Sequence, residues 1–472
     1  MILKVLTWLD GILYYPILII VMAVAGIYFT CRTRFVQIRQ LKTACKLIME
    51  KPKDAEHVSS FQALMVSTAS RVGTGNIVGV SSAICLGGPG AVFWMWIMCI
   101  IGAASAFIES TLAQIYKKKH HDGSSYGGPA YYIEQALHAP WVAFLFCFFL
   151  IATYAFGFNM LCAYNLQSTF KGYNFYHETY TPLIIGAILM IVVGYCLFGG
   201  GKRIVRITEI VVPFMGLLYV AVCIIVILAH AKHVPAMFGI IFKNAFDFRA
   251  IFGGISGSCM VYGIKRGLYS NEAGVGSAPN ASASASVTHP VKQGLVQTVS
   301  VYIDTMLLCT ATALMCLASN VTISKDVEGA PYVQNSIATV FGKFGPIFIT
   351  GEMILFAFTT LIGNLYYRNN ALAYMNKKKM PSKKFMAIYH FICVAVIFVG
   401  ASISADAAWA IADIFMAGMT LINLPSCVLL SKVAIDALRD FEKQKREGKD
   451  PVFHSRDIGI NEMELDFWRE EK

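Results

Sequence analysis

Charged residues are scarce in this chain of 472 residues. They make up 14% of it, whereas a soluble globular protein carries about 25%. Hydrophobic residues make up 56%, and the mean hydropathy is +0.59. A composition this poor in charge excludes an ordinary soluble domain and indicates an all-α membrane protein with many spans.

Cysteine patterns typical of disulfides or metal sites are missing as well. The 13 cysteines contain no Cys-x-x-Cys motif, and in the topology below they all fall within spans or on the inner side. We expect them to pack as small apolar side chains. The pair His120-His121 has no further ligands beside it, so we expect no transition metal, and no motif indicates an organic cofactor.

A cleavable signal peptide is also not expected. The first apolar run, 11–30, is too long for one and lacks a small-residue cleavage site. We therefore expect this run to be a membrane span.

Apolar runs of about 20 residues, the length that crosses a bilayer, predict eleven spans. They lie near 11–30, 61–86, 90–116, 141–164, 181–198, 206–229, 248–264, 291–318, 347–367, 385–404 and 408–431. We place 1–432 in the transmembrane domain and 433–472 in a cytoplasmic C-terminal tail. The semi-polar segment 331–342 is predicted to be a surface or re-entrant helix.

The distribution of basic residues orients these spans. With the N-terminus outside, the inner segments hold 31 of the 39 Lys and Arg residues, the outer segments hold seven, and Arg71 lies within a span. This skew follows the positive-inside rule and predicts a cytoplasmic C-terminus at the cell membrane. The net charge of +11 then reflects topology and contact with anionic lipid, so it indicates no nucleic-acid partner.

Two of the spans are interrupted by glycine-rich polar stretches. The first interruption is 71–76, inside the apolar run 61–86, and the second lies within 253–276, around 263–272. An unpaired backbone amide or carbonyl in hydrocarbon costs several kcal/mol. Broken backbone at that depth therefore indicates a cavity or a binding site.

The two interruptions occupy matching places in two halves of the chain. After the first span, the remaining ten divide into one repeat at about 61–229 and another at about 248–431. Each half opens with a broken helix, and because five is odd the halves have opposite orientation. This five-plus-five inverted repeat is typical of secondary transporters.

The first break can bind an anion. In Gly73-Thr74-Gly75-Asn76 the glycines permit unusual backbone conformations, and the helix that starts there points its positive end at the break, which suits a carboxylate. The alternative is close helix packing through Gly75-x-x-x-Gly79.

Longer motifs resemble a known family. The stretch from Arg266 to Asn280, RGLYSNEAGVGSAPN, looks like the signature of the alanine or glycine:cation symporter family of bacteria and archaea. The stretches 61–77, 87–96 and 289–294 also resemble that family, and the likeness runs from about Asp10 to Lys432. It implies a leucine-transporter-like fold and sodium-coupled uptake of a small neutral amino acid by alternating access, with no enzymatic step.

The resemblance and the two breaks together give a set of substrate-binding candidates. They are Gly73, Thr74, Gly75, Asn76, Phe156, Phe158, Asn159, Gly267, Tyr269, Ser270, Asn271 and Asn364. Alanine or glycine is the expected substrate. Asn364 stands where some members have Trp, so a larger neutral amino acid such as glutamine stays open. For the span-4 aromatic residues, ordinary core packing is the alternative.

Sodium is the expected coupling ion, since the third helix of the second half supplies hydroxyls to a sodium ion in this architecture. The candidate ligands are Thr359 and Thr360, with backbone carbonyls around Ala69 and Val72. Two alternatives remain open: the hydroxyls bond back to the preceding turn, or protons replace sodium.

Ionisable residues within or near spans are functional candidates by default. We expect Arg71 to pair with Glu109 or Asp304, or to face the inner vestibule. Asp304 is either structural or proton-linked, and Glu272 is expected to pair locally with Lys265 or Arg266. Glu209 is expected to lie at a solvated helix end.

Two other function classes are weaker. Gly254-Ile255-Ser256-Gly257 matches the short nucleophile pattern of rhomboid-like serine proteases, but the histidines that follow lie in inner loops or at a span's inner edge, away from the depth at which one could activate the serine. A channel also uses broken helices, yet no repeated filter segment is evident. No obligate protein partner is indicated.

Overall fold

Helices account for nearly all of the computed structural model, which describes residues 2–50, 57–119, 123–198, 201–247, 258–376 and 380–469. In chain order they are α1 (Leu3–Arg32), α2 (Val36–Arg39), α3 (Leu41–Ile48), α4 (Ser60–Arg71), α5 (Gly75–Gly87), α6 (Ala91–Ile115), α7 (Pro129–Leu137), α8 (Pro140–Gly172), α9 (Tyr180–Leu197), α10 (Gly201–Ala229), α11 (Val234–Ala245), α12 (Cys259–Asn271), α13 (Ala278–Ser282), α14 (Pro290–Ala318), α15 (Ala330–Phe341), α16 (Phe344–Met375), α17 (Lys383–Gly400) and α18 (Ala405–Arg446). One short antiparallel pair, β1 (Lys118–Lys119) with β2 (Ser125–Tyr126), follows α6.

Nine of these helices, counted over the described ranges, are long and apolar enough to cross a membrane: α1, α6, α8, α9, α10, α14, α16, α17 and α18. The broken pairs α4/α5 and α12/α13 bring the number of crossings to the predicted eleven. The protease-like motif 254–257 and the pair His120-His121 lie outside the described residues.

The first broken helix interrupts where its sequence predicts. α4 begins with a capping box, in which the Ser59 hydroxyl accepts from the Gln62 amide (3.1 Å) and the Gln62 side chain accepts from the Ser59 amide (3.1 Å). It ends at Arg71 because Val72 turns to an extended conformation. α5 then starts at Gly75, on the far side of a short non-helical stretch.

The second break lies at the end of its predicted bounds, 253–276, and not around the predicted centre, 263–272. The residues of 263–271 are helical, and the interruption comes at 272–277, where Glu272 has φ 49° and two glycines have positive φ. Gly263 lies inside α12, at a position where a Cβ would come within 2.4 Å of the Ala91 carbonyl oxygen. That glycine serves close packing of α12 on α6 and does not unwind the helix.

The observed position of the second break changes the assignment of two basic residues. Lys265 and Arg266, counted above with the inner segments, lie within α12, so the inner count falls by two. The excess of basic residues on the predicted inner side remains large, so the predicted orientation of the spans stays the same.

The bundle separates a polar centre from a lipid-facing surface. α6 packs against α12 and α14, and α4 packs against α10 and α16. The outer helices α9, α10 and α17 expose large apolar side chains, among them Ile191, Leu217 and Phe391. Such a surface is stable only against hydrocarbon.

Two shorter elements add to the predicted plan. α15 covers the segment expected to be a surface or re-entrant helix; its 12 residues span about 18 Å, too little for a hydrocarbon core of about 30 Å. α11 was not predicted from the sequence. At the other end of the chain, α18 continues past residue 433, the expected start of the tail.

The segment after α18 folds back onto the end of the bundle. The Phe453 amide donates to the Thr288 carbonyl (3.0 Å), and the Trp468 indole donates to the Gln114 carbonyl (2.8 Å). The Lys117 ammonium lies 5.2 Å from the centre of the Trp468 ring, and burial lowers the pKa of Lys117. The tail is therefore a packed part of the fold.

We predict that Trp468→Ala releases this segment without unfolding the bundle. The substitution removes the indole hydrogen bond and the ring contacts with Lys117 and Phe453, so protease cleavage within 447–469 should quicken about tenfold or more. The matched control is Trp141→Ala, since Trp141 is 83% exposed. Equal cleavage rates in the parent and the Trp468 variant would contradict the packing.

Candidate functional site

The two breaks meet at a narrow, largely enclosed cavity of about 10 Å³, which is room for about one water molecule. Its lining residues come from α4, the first break, α8, α12, the second break and α16. They are Ser70, Arg71, Gly73, Thr74, Gly75, Phe158, Tyr269, Glu272 and Thr360. This volume is far below the range of about 300–1,000 Å³ usual for ligand pockets, so any substrate requires the cavity to widen.

The glycines of the first break let two other helices approach it. A Cβ on Gly73 would lie 2.0 Å from the Thr360 hydroxyl oxygen, and a Cβ on Gly75 would lie 2.6 Å from the Tyr269 ring. Close packing, which was the alternative explanation of these glycines, and an exposed backbone at the cavity therefore occur together.

Asn76 holds the first break in shape. Its side-chain oxygen accepts from the Gly73 amide (2.8 Å), and its NH₂ donates to the Asp304 carboxylate (2.7 Å). The same carboxylate accepts from the hydroxyls of Ser270 (2.7 Å) and Thr305 (2.8 Å). Asp304 thus ties the two broken helices together, while Asn76 and Ser270 lie behind the cavity wall.

Asn159 and Asn364 form a second layer behind the cavity. The Asn364 NH₂ donates to the Asn159 side-chain oxygen (3.0 Å), and the Ser70 hydroxyl donates to the Asn364 oxygen (2.8 Å). Asn364 therefore reaches the cavity only through Ser70.

An edge-to-face aromatic cluster lies on the α12 side of the cavity. The Tyr269 ring lies 4.9 Å from both the Phe158 and the Trp409 ring centres, and the Arg266 guanidinium lies 3.5 Å above Trp409. Arg266 also pairs with Asp413 at 3.4 Å.

The expected pairing of Glu272 with Lys265 or Arg266 was wrong. Lys265 pairs with Asp413 (2.9 Å) and Asp10 (2.6 Å), because α12 carries it toward α18 and α1. The Glu272 carboxylate lies at the second break instead.

Buried acceptors stabilise the second break. One Glu272 oxygen accepts from the hydroxyls of Tyr154 (2.9 Å) and Ser277 (2.7 Å). Glu109 accepts from the Gly274 amide (3.2 Å) and the Asn423 side chain (2.8 Å). Glu109 thereby satisfies backbone that the left-handed turn leaves without a helical partner.

Arg71 is not paired as expected. Its side chain is 2% exposed, and none of its three guanidinium nitrogens has a hydrogen-bond partner in the described parts of the chain. The positive charge acts on Glu109, Glu272 and Asp304, yet no ion pair within 4.0 Å forms with any of these three described residues. Arg71 is one of the residues that line the cavity.

The two threonine candidates behave differently. The Thr359 hydroxyl donates back to the Leu355 carbonyl (3.0 Å), which was the alternative for this pair. The Thr360 hydroxyl is buried without a hydrogen-bond partner in the described structure and lines the cavity. The Gly73 amide, which in a continued helix would donate to the Ala69 carbonyl, donates to the Asn76 side chain.

The remaining candidates lie outside the cavity. Phe156 lies two residues before Phe158 in α8, and Gly267 packs on Met95 and Met98 of α6. The Asn271 side chain accepts from the Ala273 amide (3.0 Å). The Val72 amide closes the last turn of α4 on Thr68 (2.6 Å).

Three cavity residues were missing from the predicted binding set: Ser70, Arg71 and Glu272. A signal existed for the last two, because each is an ionisable residue beside a break in a span. Ser70 carried none.

Known proteins match nearly the whole length of this chain. Residues 1–455 match the model of the family described as "Sodium:alanine symporter family". "Probable sodium/glutamine symporter GlnT" of Bacillus subtilis (strain 168) is 40% identical over 97% of this chain and 94% of its own. "Sodium/alanine symporter AgcS" of Methanococcus maripaludis is 34% identical over 93% and 97%.

A solved structure shares the fold. The crystal structure of MhsT in complex with L-phenylalanine superposes with a TM-score of 0.53 and covers 85% of this chain and 91% of its own. At 14% identity this likeness bears on the fold alone, which is the leucine-transporter-like arrangement with two broken helices. The chain belongs to the sodium:alanine symporter family.

Proposed function

We propose that this protein imports a small neutral amino acid together with sodium by alternating access. The observation that carries the proposal is the enclosed cavity at the meeting point of two broken helices, within a fold and family of transporters. The narrowness of the cavity, which must widen for any substrate, favours the smallest amino acids, alanine and glycine. The family's transport activity needs no catalytic residue and no organic cofactor.

The substrate carboxylate is placed at the first break. The amides of Thr74 and Gly75 stand at the positive end of α5, which attracts a carboxylate. Tyr269 and Phe158 cover the apolar part of the substrate. Asn76 supports this arrangement by fixing the Gly73 amide (2.8 Å).

The sodium ion is placed between Thr360 and the end of α4. The Thr360 hydroxyl has no other partner in the described structure, and the Gly73 amide, which in a continued helix would donate to the Ala69 carbonyl, donates to Asn76. Thr359 and the Val72 carbonyl complete the proposed ligand set. Hydroxyl and carbonyl oxygens are the hard donors that such a cation prefers.

A second candidate substrate is glutamine. A relative named as a glutamine symporter is 40% identical to this chain, and Asn364 backs the cavity through Ser70. Glutamine requires the cavity to widen beyond its present volume.

Uptake into proteoliposomes tests the proposed activity. We expect an inward sodium gradient to drive concentrative uptake of labelled alanine or glycine at fixed pH, with glutamine slower because of its size. The control is an equal potassium gradient. Full uptake driven by a proton gradient without sodium would overturn sodium coupling, and uptake of none of the three amino acids would overturn the activity.

We predict that Thr360→Val raises the sodium concentration for half-maximal uptake about tenfold or more, because it removes the free hydroxyl and one charge-assisted contact. Thr359→Val is the matched control and should have a smaller effect, since that hydroxyl already bonds to Leu355. Sodium titrations of initial uptake rates measure both. Equal sodium dependence in the Thr360 variant and the parent would argue against this site.

The N-terminus is proposed to lie outside and the C-terminus in the cytoplasm. We expect exposed Cys45 on α3 to react with an impermeant maleimide only after cells are opened. Cys45→Ser gives the background, and Ser402→Cys, between α17 and α18, should react in intact cells. Labelling of Cys45 from outside would reverse the topology.

A further inference from the structure

The Arg71 guanidinium is a buried charge without a partner. Arginine stays protonated in proteins, and burying an isolated charge is costly unless an anion pairs with it. Here the side chain is 2% exposed, and its Nε and both terminal nitrogens lack hydrogen-bond partners in the described structure. Arg71 is also one of the residues that line the cavity. It therefore needs an anionic ligand that enters the cavity.

The protein's own carboxylates are held away from this role. Asp304 is fixed by Ser270 and Thr305, and Glu109 is fixed by the Gly274 amide at the second break. Neither carboxylate has an oxygen within 4.0 Å of an Arg71 guanidinium nitrogen in the described structure. Their charges act on the guanidinium from a distance and leave its donors free.

Glu272 supplies an acceptor on the same cavity. Its side chain is 1% exposed, and one of its oxygens accepts from Tyr154 and Ser277. The other oxygen receives only the Ser70 hydroxyl at 3.3 Å, and that hydroxyl lies closer to Asn364, at 2.8 Å. This second oxygen is free to accept from a ligand.

We propose that Arg71 and Glu272 form a subsite for the two charged ends of an α-amino acid. The guanidinium binds the α-carboxylate, and the free Glu272 oxygen accepts from the α-ammonium. The inference rests on the proposed transport of a neutral amino acid, and it names the residues that recognise the zwitterion. A substrate lying between the two groups pairs both charges, which do not contact each other without it.

This subsite gives a specificity that size alone cannot give. Alaninamide lacks the carboxylate charge and propionate lacks the ammonium, although both resemble alanine in size. Each charge-assisted hydrogen bond changes affinity by roughly tenfold to a hundredfold. The parent should therefore bind alanine at least a hundredfold more tightly than either analogue.

The test is competition by alaninamide and by propionate against labelled alanine on purified protein in saturating sodium. In Arg71→Gln, alanine affinity should fall thirtyfold or more while alaninamide affinity changes less than threefold. In Glu272→Gln, the preference for alanine over propionate should collapse in the same way. If the parent transports glutamine and not alanine, glutamine and glutaminamide replace alanine and alaninamide in this test.

Controls separate recognition from folding. Arg368→Gln removes another buried arginine that lies outside the cavity and contacts Cys393 (2.7 Å), so it should keep the alanine-to-alaninamide ratio. Thermal unfolding in detergent checks each variant. If Arg71→Gln does not fold, Arg71→Lys keeps the charge and should show an intermediate ratio.

The outcomes distinguish the two proposals. An Arg71→Gln protein that transports or binds alanine with the parent's alanine-to-alaninamide ratio overturns the Arg71 assignment and leaves the transport proposal standing. A Glu272→Gln protein with an unchanged propionate ratio overturns the Glu272 assignment. A parent that takes up no neutral amino acid with sodium overturns the transport proposal itself.

Discussion

Backbone hydrogen bonding in hydrocarbon is the constraint on which the rest of this structure depends. Helix α4 stops at Arg71 and α12 stops at Asn271, so amides and carbonyls are released at a depth where no water can pair them. One amide at each break is paired by a side chain. Asn76 accepts from the Gly73 amide, and Glu109 accepts from the Gly274 amide.

These supporting residues link the two breaks into one unit. Asp304 on α14 accepts from Asn76 of the first broken helix and from Ser270 of the second. A movement of either break therefore changes the hydrogen bonds that hold the other. Tyr269 belongs to α12, and its edge-to-face partner Trp409 belongs to α18. Opening the cavity on that side therefore separates α12 from α18, which the Arg266–Asp413 pair also holds together.

The sequence predicted the crossings and the first break well, because both depend on local composition. At 71–76 the polar residues coincide with the end of the helix. The sequence misplaced the centre of the second break because glycine has two uses. Gly263 packs against the Ala91 carbonyl inside a helix, whereas Gly274 has a positive φ in the turn itself. Nothing local distinguishes these uses. Partners such as Asn76 with Asp304, 228 residues apart, also have no local signal.

The cavity wall shows how substrate size can be set by residues that no substrate touches. Ser70 lies at the wall, and its hydroxyl is held by Asn364, which in turn is held by Asn159. A bulkier residue at 364 presses on Ser70 and on the close contact of Gly363 with the Ser70 backbone, where a Cβ would lie 2.9 Å from the amide nitrogen. Because α16 also carries Thr360, such a shift changes the proposed cation ligand and the cavity together. In the proposed site, size selection and ion coupling are thus connected through one helix.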